Sequence, residues 1–123
     1  MTDGLPEAGG REKSPPPVSF GMMVVFCTFP DMEKARQVAG EIISQGHAAC
    51  VNILPGVESI YKWEGKIQCD AEVLAIFKVN QSGFEKLKET ILSKHPYDTP
   101  EVIGIAADKV EARYLDWVVN STR

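Results

Sequence analysis

Cysteine is scarce in this sequence and none of it is paired by pattern. Cys27, Cys50 and Cys69 are the three cysteines of 123 residues, no two are spaced as CxxC, and any disulfide scheme leaves one over. That excludes a disulfide-stapled secreted scaffold and suits a reducing compartment, so the expected location is the cytoplasm. Long apolar runs are missing too. The longest uncharged apolar stretch, Met22 to Phe29, is far short of the roughly 20 residues a membrane-spanning helix needs, and no membrane association is expected. Lys and Arg form no cluster able to follow a phosphate backbone, and 17 acidic against 13 basic residues give a formal net charge of −4, which argues against nucleic acid as a partner.

Catalytic signatures are equally thin. The only histidines are His47 and His95, no Ser or Cys stands in a GxSxG elbow, and neither GxxxxGK[ST] nor a GxGxxG after the first strand is present. Acyl transfer, nucleotide hydrolysis and dinucleotide redox are therefore disfavoured, and the chain is expected not to be an enzyme. What remains is a composition of 44% hydrophobic and 24% charged residues, the balance of a globular domain, at a length that suits one core. Residues 1–21 carry Pro6, Pro15, Pro16, Pro17 and several glycines without the apolar stretch of a secretory signal. They read as a disordered leader before a single domain over 22–123.

Met22 to Phe29 is continuously apolar and rich in β-formers, as in a strand covered on both faces. Asp31 then caps a helix whose Met32, Ala35, Val38, Ala39, Ile42 and Ile43 recur at helical spacing until Gly46. Ala48 to Leu54 reads as a second inner strand, and the alternation of Val57, Ser59, Tyr61 and Trp63 extends it past a bulge or bend at Pro55. Glu64-Gly65 makes a tight turn into a long third strand, Lys66 to Val79. Ser82 and Glu85 have capping-box spacing before a second helix with Phe84, Leu87, Ile91 and Leu92, which Pro96 ends. Val102 to Ala107 is a short strand, and Val110, Tyr114, Trp117 and Val118 mark a last amphipathic helix.

The order β-α-β-β-α-β plus a C-terminal helix predicts an α+β, ferredoxin-like split βαβ fold with helices on one face of four strands. Its central hairpin is longer than the usual strand of about 5 to 6 residues. The far half outruns the helices and exposes Ile60, Tyr61, Trp63 and Ile67 with unpaired edges, a surface that pairing with further copies covers.

The densest run of polar groups is His95 to Glu101, held between Pro96 and Pro100. His95 either caps the preceding helix or contributes to a ligand set, and Tyr97 either packs or lines a cleft. Cys27 is either a small core residue or a thiolate for a soft metal. Tyr61 and Trp63 serve an interface or a ligand, and Glu72 and Lys78 are cross-strand charges or cleft residues.

Several segments together resemble the CutA family: Thr28-Phe29-Pro30-Asp31, Ala48-Ala49-Cys50-Val51-Asn52-Ile53, Ser59-Ile60-Tyr61-Lys62-Trp63-Glu64-Gly65-Lys66, His95-Pro96-Tyr97-Asp98-Thr99-Pro100-Glu101 and Tyr114-Leu115-Asp116-Trp117. The resemblance runs from about Met22 to Arg123. It implies a homotrimer closed by strand pairing between copies, similar in architecture to the PII signalling proteins, with a non-enzymatic part in tolerance of divalent cations, copper among them. For metal it implies Cys27 and Glu101 as ligands, while the place of the family's His holds Lys94. A protonated Lys has no lone pair to give, so the neighbouring His95 becomes the third candidate ligand. The alternative is a PII-like module that takes a small anionic ligand in clefts between subunits, using Lys78, Tyr61 and Trp63.

Overall fold

In the computed structural model, which describes residues 21–122, the first strand, β1 (Met22–Phe29), sends Val25, Cys27 and Phe29 to one face, where each is fully buried. The leader expected over 1–21 lies, apart from Gly21, outside the described residues. Helix α1 (Met32–Ser44) starts where expected: Asp31 Oδ1 accepts the Lys34 N–H at 2.7 Å, satisfying a donor that the first turn leaves free. Its stripe of Ala35, Val38, Ala39 and Ile42 is buried on the β1 face.

Strand β2 (Cys50–Trp63) and strand β3 (Lys66–Asn80) form the long hairpin. Glu64 (φ 51°) and Gly65 (φ 79°) both take the left-handed conformation of a two-residue turn whose twist matches the strands it joins. Partway along, the register steps from Val57↔Glu72 to Leu54↔Leu74, three residues on β2 against two on β3. That bulge falls at Pro55, which has no N–H to give a ladder, and Gly56 (φ 82°). Of the bulge or bend expected at Pro55, a one-residue bulge is what forms.

Helix α2 (Phe84–Lys94) buries Leu87 and Ile91 beside α1, and the short strand β4 (Ile103–Ala106) completes a four-stranded antiparallel sheet in the order β2-β3-β1-β4. This is the ferredoxin-like arrangement. Its core lies between the sheet and the pair α1 and α2, around Phe29, Phe77, Val25 and Ile42. Fully burying a side chain such as Phe77 contributes roughly 2–3 kcal/mol.

Four details differ from the sequence expectation. β2, read as an inner strand, lies at the edge of the sheet, because β3 pairs with it on one side and with β1 on the other. No capping box forms: Asn80 Oδ1 accepts both the N–H and the hydroxyl of Ser82 at 3.1 Å, spending Ser82 on a 3-10 turn (Gln81–Gly83), and the N-cap of α2 is Gly83, which has no side chain to cap it. Val110 precedes the last helix, α3 (Ala112–Ser121), whose cap is Glu111 accepting from the Tyr114 N–H at 2.9 Å. And α3 does not join the other helices. Tyr114 reaches Cys50 at 3.7 Å, and Cys50 pairs with Lys78 on the face turned away from Val51 and Phe77, so α3 covers one end of the opposite side of the sheet. The rest of that side is open, with Ile103 and Ile105 about half exposed.

Two glycines should respond oppositely to alanine. A Cβ at Gly104 would lie 2.7 Å from Met23 Sδ and 2.8 Å from Phe84 Cε1, so Gly104→Ala should cost about 1–3 kcal/mol by overpacking. Gly40, in the middle of α1 with nothing within 4 Å of its Cβ position, should gain about 1 kcal/mol as Gly40→Ala. Denaturant midpoints at one fixed protein concentration read both; equal signs would contradict the packing described.

Candidate functional site

Pro96 disfavours helical backbone at the residue before it, and His95 turns out of α2 at φ −75° and ψ 141°. Its backbone N–H, and not its imidazole, closes the helix on Ile91 O at 2.9 Å. The turn carries the imidazole, only 8% exposed, onto the end of β1. There Nε2 lies 2.7 Å from Thr28 O, and since a carbonyl only accepts, Nε2 carries the proton. Nδ1 is then the acceptor for the Tyr97 N–H at 3.1 Å. The ring stacks on Phe29 (4.6 Å between centroids, 24°) and meets Tyr97 at 4.7 Å. Burial lowers the His95 pKa below its ordinary value; the Thr28 bond and the Glu72 carboxylate act against this, and Lys34 adds to it.

Tyr97 continues the chain of contacts. Its hydroxyl donates to Glu72 Oε2 at 2.7 Å, while Ser59 Oγ donates to Glu72 Oε1 at 2.6 Å. Burial, then the bond to Glu72, pushes the Tyr97 phenol well above its usual range. One ladder step away the Tyr61 hydroxyl donates to Asp70, which raises the Tyr61 pKa, chiefly through that bond. His95, Tyr97, Glu72 and Tyr61 thus belong to one neighbourhood at the root of the hairpin's free half, joined by Ser59 and Asp70.

The other anticipated residues lie elsewhere or in another state. Cys27 is fully buried, its Sγ 3.7 Å from Thr28 O, and burial, with Glu101 and Glu72 adding, pushes its thiol up to about 12. Glu101 is exposed beyond the loop. Lys94 pairs with Glu41 at 3.4 Å and ties α2 to α1. Trp63, 61% exposed, sits at the hairpin tip opposite Lys66. Lys78 is six residues further along β3 from Glu72, where its ammonium donates to Asn52 and lies 3.8 Å from Cys50 Sγ. Among the described residues no group of three or more His, Cys, Asp and Glu is arranged to hold a metal ion, so the donors of one chain do not by themselves fit a copper centre.

Ser59 and Asp70 were absent from the sequence-level site, although the signal existed. A two-residue turn at Glu64-Gly65 makes Trp63↔Lys66 the first pair, and counting back gives Ser59↔Asp70. Outside this neighbourhood, an open apolar hollow of about 450 Å³ runs between α1 and the outer edge of β2, lined by Ala39, Gly40, Ile43, Val51 and Ile53 among others.

Residues 23–121 match the family profile described as CutA1 divalent ion tolerance protein. The chain is 48% identical over 101 residues to the protein CutA 1, chloroplastic, of Oryza sativa, covering 82% of this chain and 57% of that protein, so it spans little more than half of this plant relative. Against the divalent-cation tolerance protein CutA of Thermus thermophilus it is 40% identical over 99 residues, covering 80% of this chain and 96% of that one. The crystal structure of CutA1 from Oryza sativa superposes with a TM-score of 0.83 at 46% identity, over 87% of this chain and 98% of that chain.

The state of His95 has a pH signature. The unfolded imidazole takes up its proton near 6.5, whereas the buried one resists it. Below that pH the unfolded chain binds more protons, so stability is complete above about 6.5 and is lost as pH falls towards the lower folded value. His95→Gln should therefore lose its disadvantage against the wild type as unfolding is measured from pH 7.5 down to 5. Two curves that stay parallel would show that His95 is not held neutral.

Proposed function

This chain belongs to the CutA1 divalent ion tolerance protein family, and we propose that it acts in divalent-cation tolerance as a non-enzymatic homotrimer whose ligand is copper or another divalent cation. The observation that carries the assembly is the apolar surface that one copy leaves bare. Ile60, Trp63 and Ile67 on the free half of the hairpin are 67%, 61% and 75% exposed, and Ile103 and Ile105 stand open on the sheet. Monomers rarely leave so many large apolar side chains bare beside two unpaired strand edges, here those of β2 and β4. Three copies is the number that the resemblance of the sequence implies, and a closed ring uses up both edges of each.

Cation binding then depends on assembly. Oxygen donors that lie apart in one chain meet those of a neighbour between copies, which agrees with the absence of a complete donor set among the described residues of one chain. Three cysteines free of disulfides suit a reducing compartment, and the cytoplasm is the location we propose. A second reading, a small anionic ligand in a cleft between copies, is favoured by Lys78: its ammonium has neutral partners, Asn52 and Cys50, and no carboxylate partner among the described residues.

Native mass spectrometry of the purified protein tests both readings. The expected species contains three chains, and Ile67→Asp, which places a charge on the most exposed of the apolar hairpin residues, should convert most of it to single chains at micromolar concentration. A wild-type protein that is already a single chain would remove the basis of the proposal. An added small-molecule mass that disappears in Lys78→Ala would favour the second reading over the first.

A further inference from the structure

We infer that Cys27 and Glu101, which the family resemblance marks for copper, and His95, the neighbour of its third place, are not a metal centre in this chain, and that His95 belongs instead to a structural clasp closing the Pro96–Pro100 loop on Glu72, with Cys27 a core residue of β1. The inference does not depend on the number of subunits.

Each donor is already committed or out of place. A copper ligand must offer a lone pair, and an imidazole offers one only from its unprotonated nitrogen. In His95 that nitrogen, Nδ1, takes the Tyr97 N–H, while Nε2–H is bound to Thr28 O. Freeing Nε2 breaks a buried bond and freeing Nδ1 a half-buried one, and either pulls the ring from its stack on Phe29. Cys27 lies wholly within the packed face of β1, so a metal reaches its sulfur only by parting the core packed over it. Glu101 is exposed, and Lys94, at the place of the family's histidine, is engaged with Glu41 across the two helices.

The same contacts make a mechanical unit. Thr28 on β1 holds His95, His95 holds the Tyr97 backbone, the Tyr97 hydroxyl holds Glu72 on β3, and Ser59 on β2 holds the other oxygen of Glu72. Three strands are tied to one loop without a metal. His95 and Tyr97 are positioning residues: they fix where the Glu72 carboxylate points.

Two measurements on the full chain test this. In a Cys50→Ser, Cys69→Ser background, which leaves Cys27 as the sole thiol, the protein is challenged with Cu(I) against a chromophoric Cu(I) chelator, and with Zn(II) in a calorimeter. The clasp predicts that adding Cys27→Ala or His95→Gln changes the Cu(I) retained by less than about a tenth of an equivalent per chain, and that the Cys27 thiol is silent to Ellman's reagent until the protein is denatured. Uptake that persists unchanged when Cys27→Ala is added supports the clasp and assigns the cation to donors elsewhere. One equivalent retained by the parent and lost with Cys27→Ala or His95→Gln overturns it.

The second measurement needs no metal. By hydrogen exchange on the metal-free protein, His95→Gln should speed the Tyr97 amide at least tenfold, and Tyr97→Phe should leave that amide protected while loosening the side chain from Glu72. Protection of Tyr97 that appears only when copper is added would overturn the clasp.

Discussion

The ladder between β2 and β3 is the constraint on which the rest of the molecule hangs. Its register is pinned at one end by a turn of two left-handed residues, Glu64 and Gly65, and is shifted once by the bulge at Pro55 and Gly56. Because side chains alternate along a strand, a shift of one residue exchanges the faces of everything beyond it. Below the bulge the odd residues Val51 and Ile53 share the core face with Phe77 and Ala75. Above it, Ser59, Tyr61 and Trp63 pair with Asp70, Gln68 and Lys66, so the hydroxyls come to the side that bears Asp70 and Glu72. Without that one extra residue the polar neighbourhood would be divided between two faces.

The second element is the way polar groups are satisfied where the sheet runs out. β1 stops at Phe29, one pair short of Glu72, and the gap is bridged by the loop after α2. A histidine suits that position because a neutral imidazole is donor and acceptor at once, with an aromatic face left for packing. Asn or Gln has the polar complement without the ring, and Phe the ring without the complement. Tyr97 and Ser59 fill both oxygens of Glu72 by the same economy of means, and buried or half-buried polar atoms in this corner find partners rather than voids.

Most of the fold was legible in the sequence, because strong local signals agreed with one another. The apolar run Met22–Phe29, the Asp31 cap, the Glu64-Gly65 turn and the Pro55 irregularity each have a local physical cause and appear where their residues place them. The site was legible by residue type and less so by state. His95, Tyr97, Glu72 and Tyr61 do come together, yet nothing local says that both nitrogens of His95 are engaged, since one partner lies 67 residues away at Thr28. Lys78 and Trp63 were grouped with them by strand pattern, but strand pattern carries no distance along the ladder, and they sit at its opposite ends, beside Cys50 and at the tip. Ser82 shows the opposite failure: a spacing that suggests a cap was outbid by a nearer acceptor, Asn80.

The strand order β2-β3-β1-β4 has a consequence for the birth of the molecule. The strand made first is the one that ends in the middle of the sheet, and both its neighbours are made later: Cys27 waits for Ala75, and Met23 for Val79 and then Ala106. A chain emerging from the ribosome therefore holds its most apolar segment without a partner while about 50 further residues are synthesised, and its other flank stays open until nearly the whole domain is out. The hairpin, by contrast, closes on itself within a short stretch of chain. Folding is thus split between a local part that forms early and a central strand that must be shielded until its neighbours arrive, and the vulnerable interval in the life of this protein lies in its synthesis.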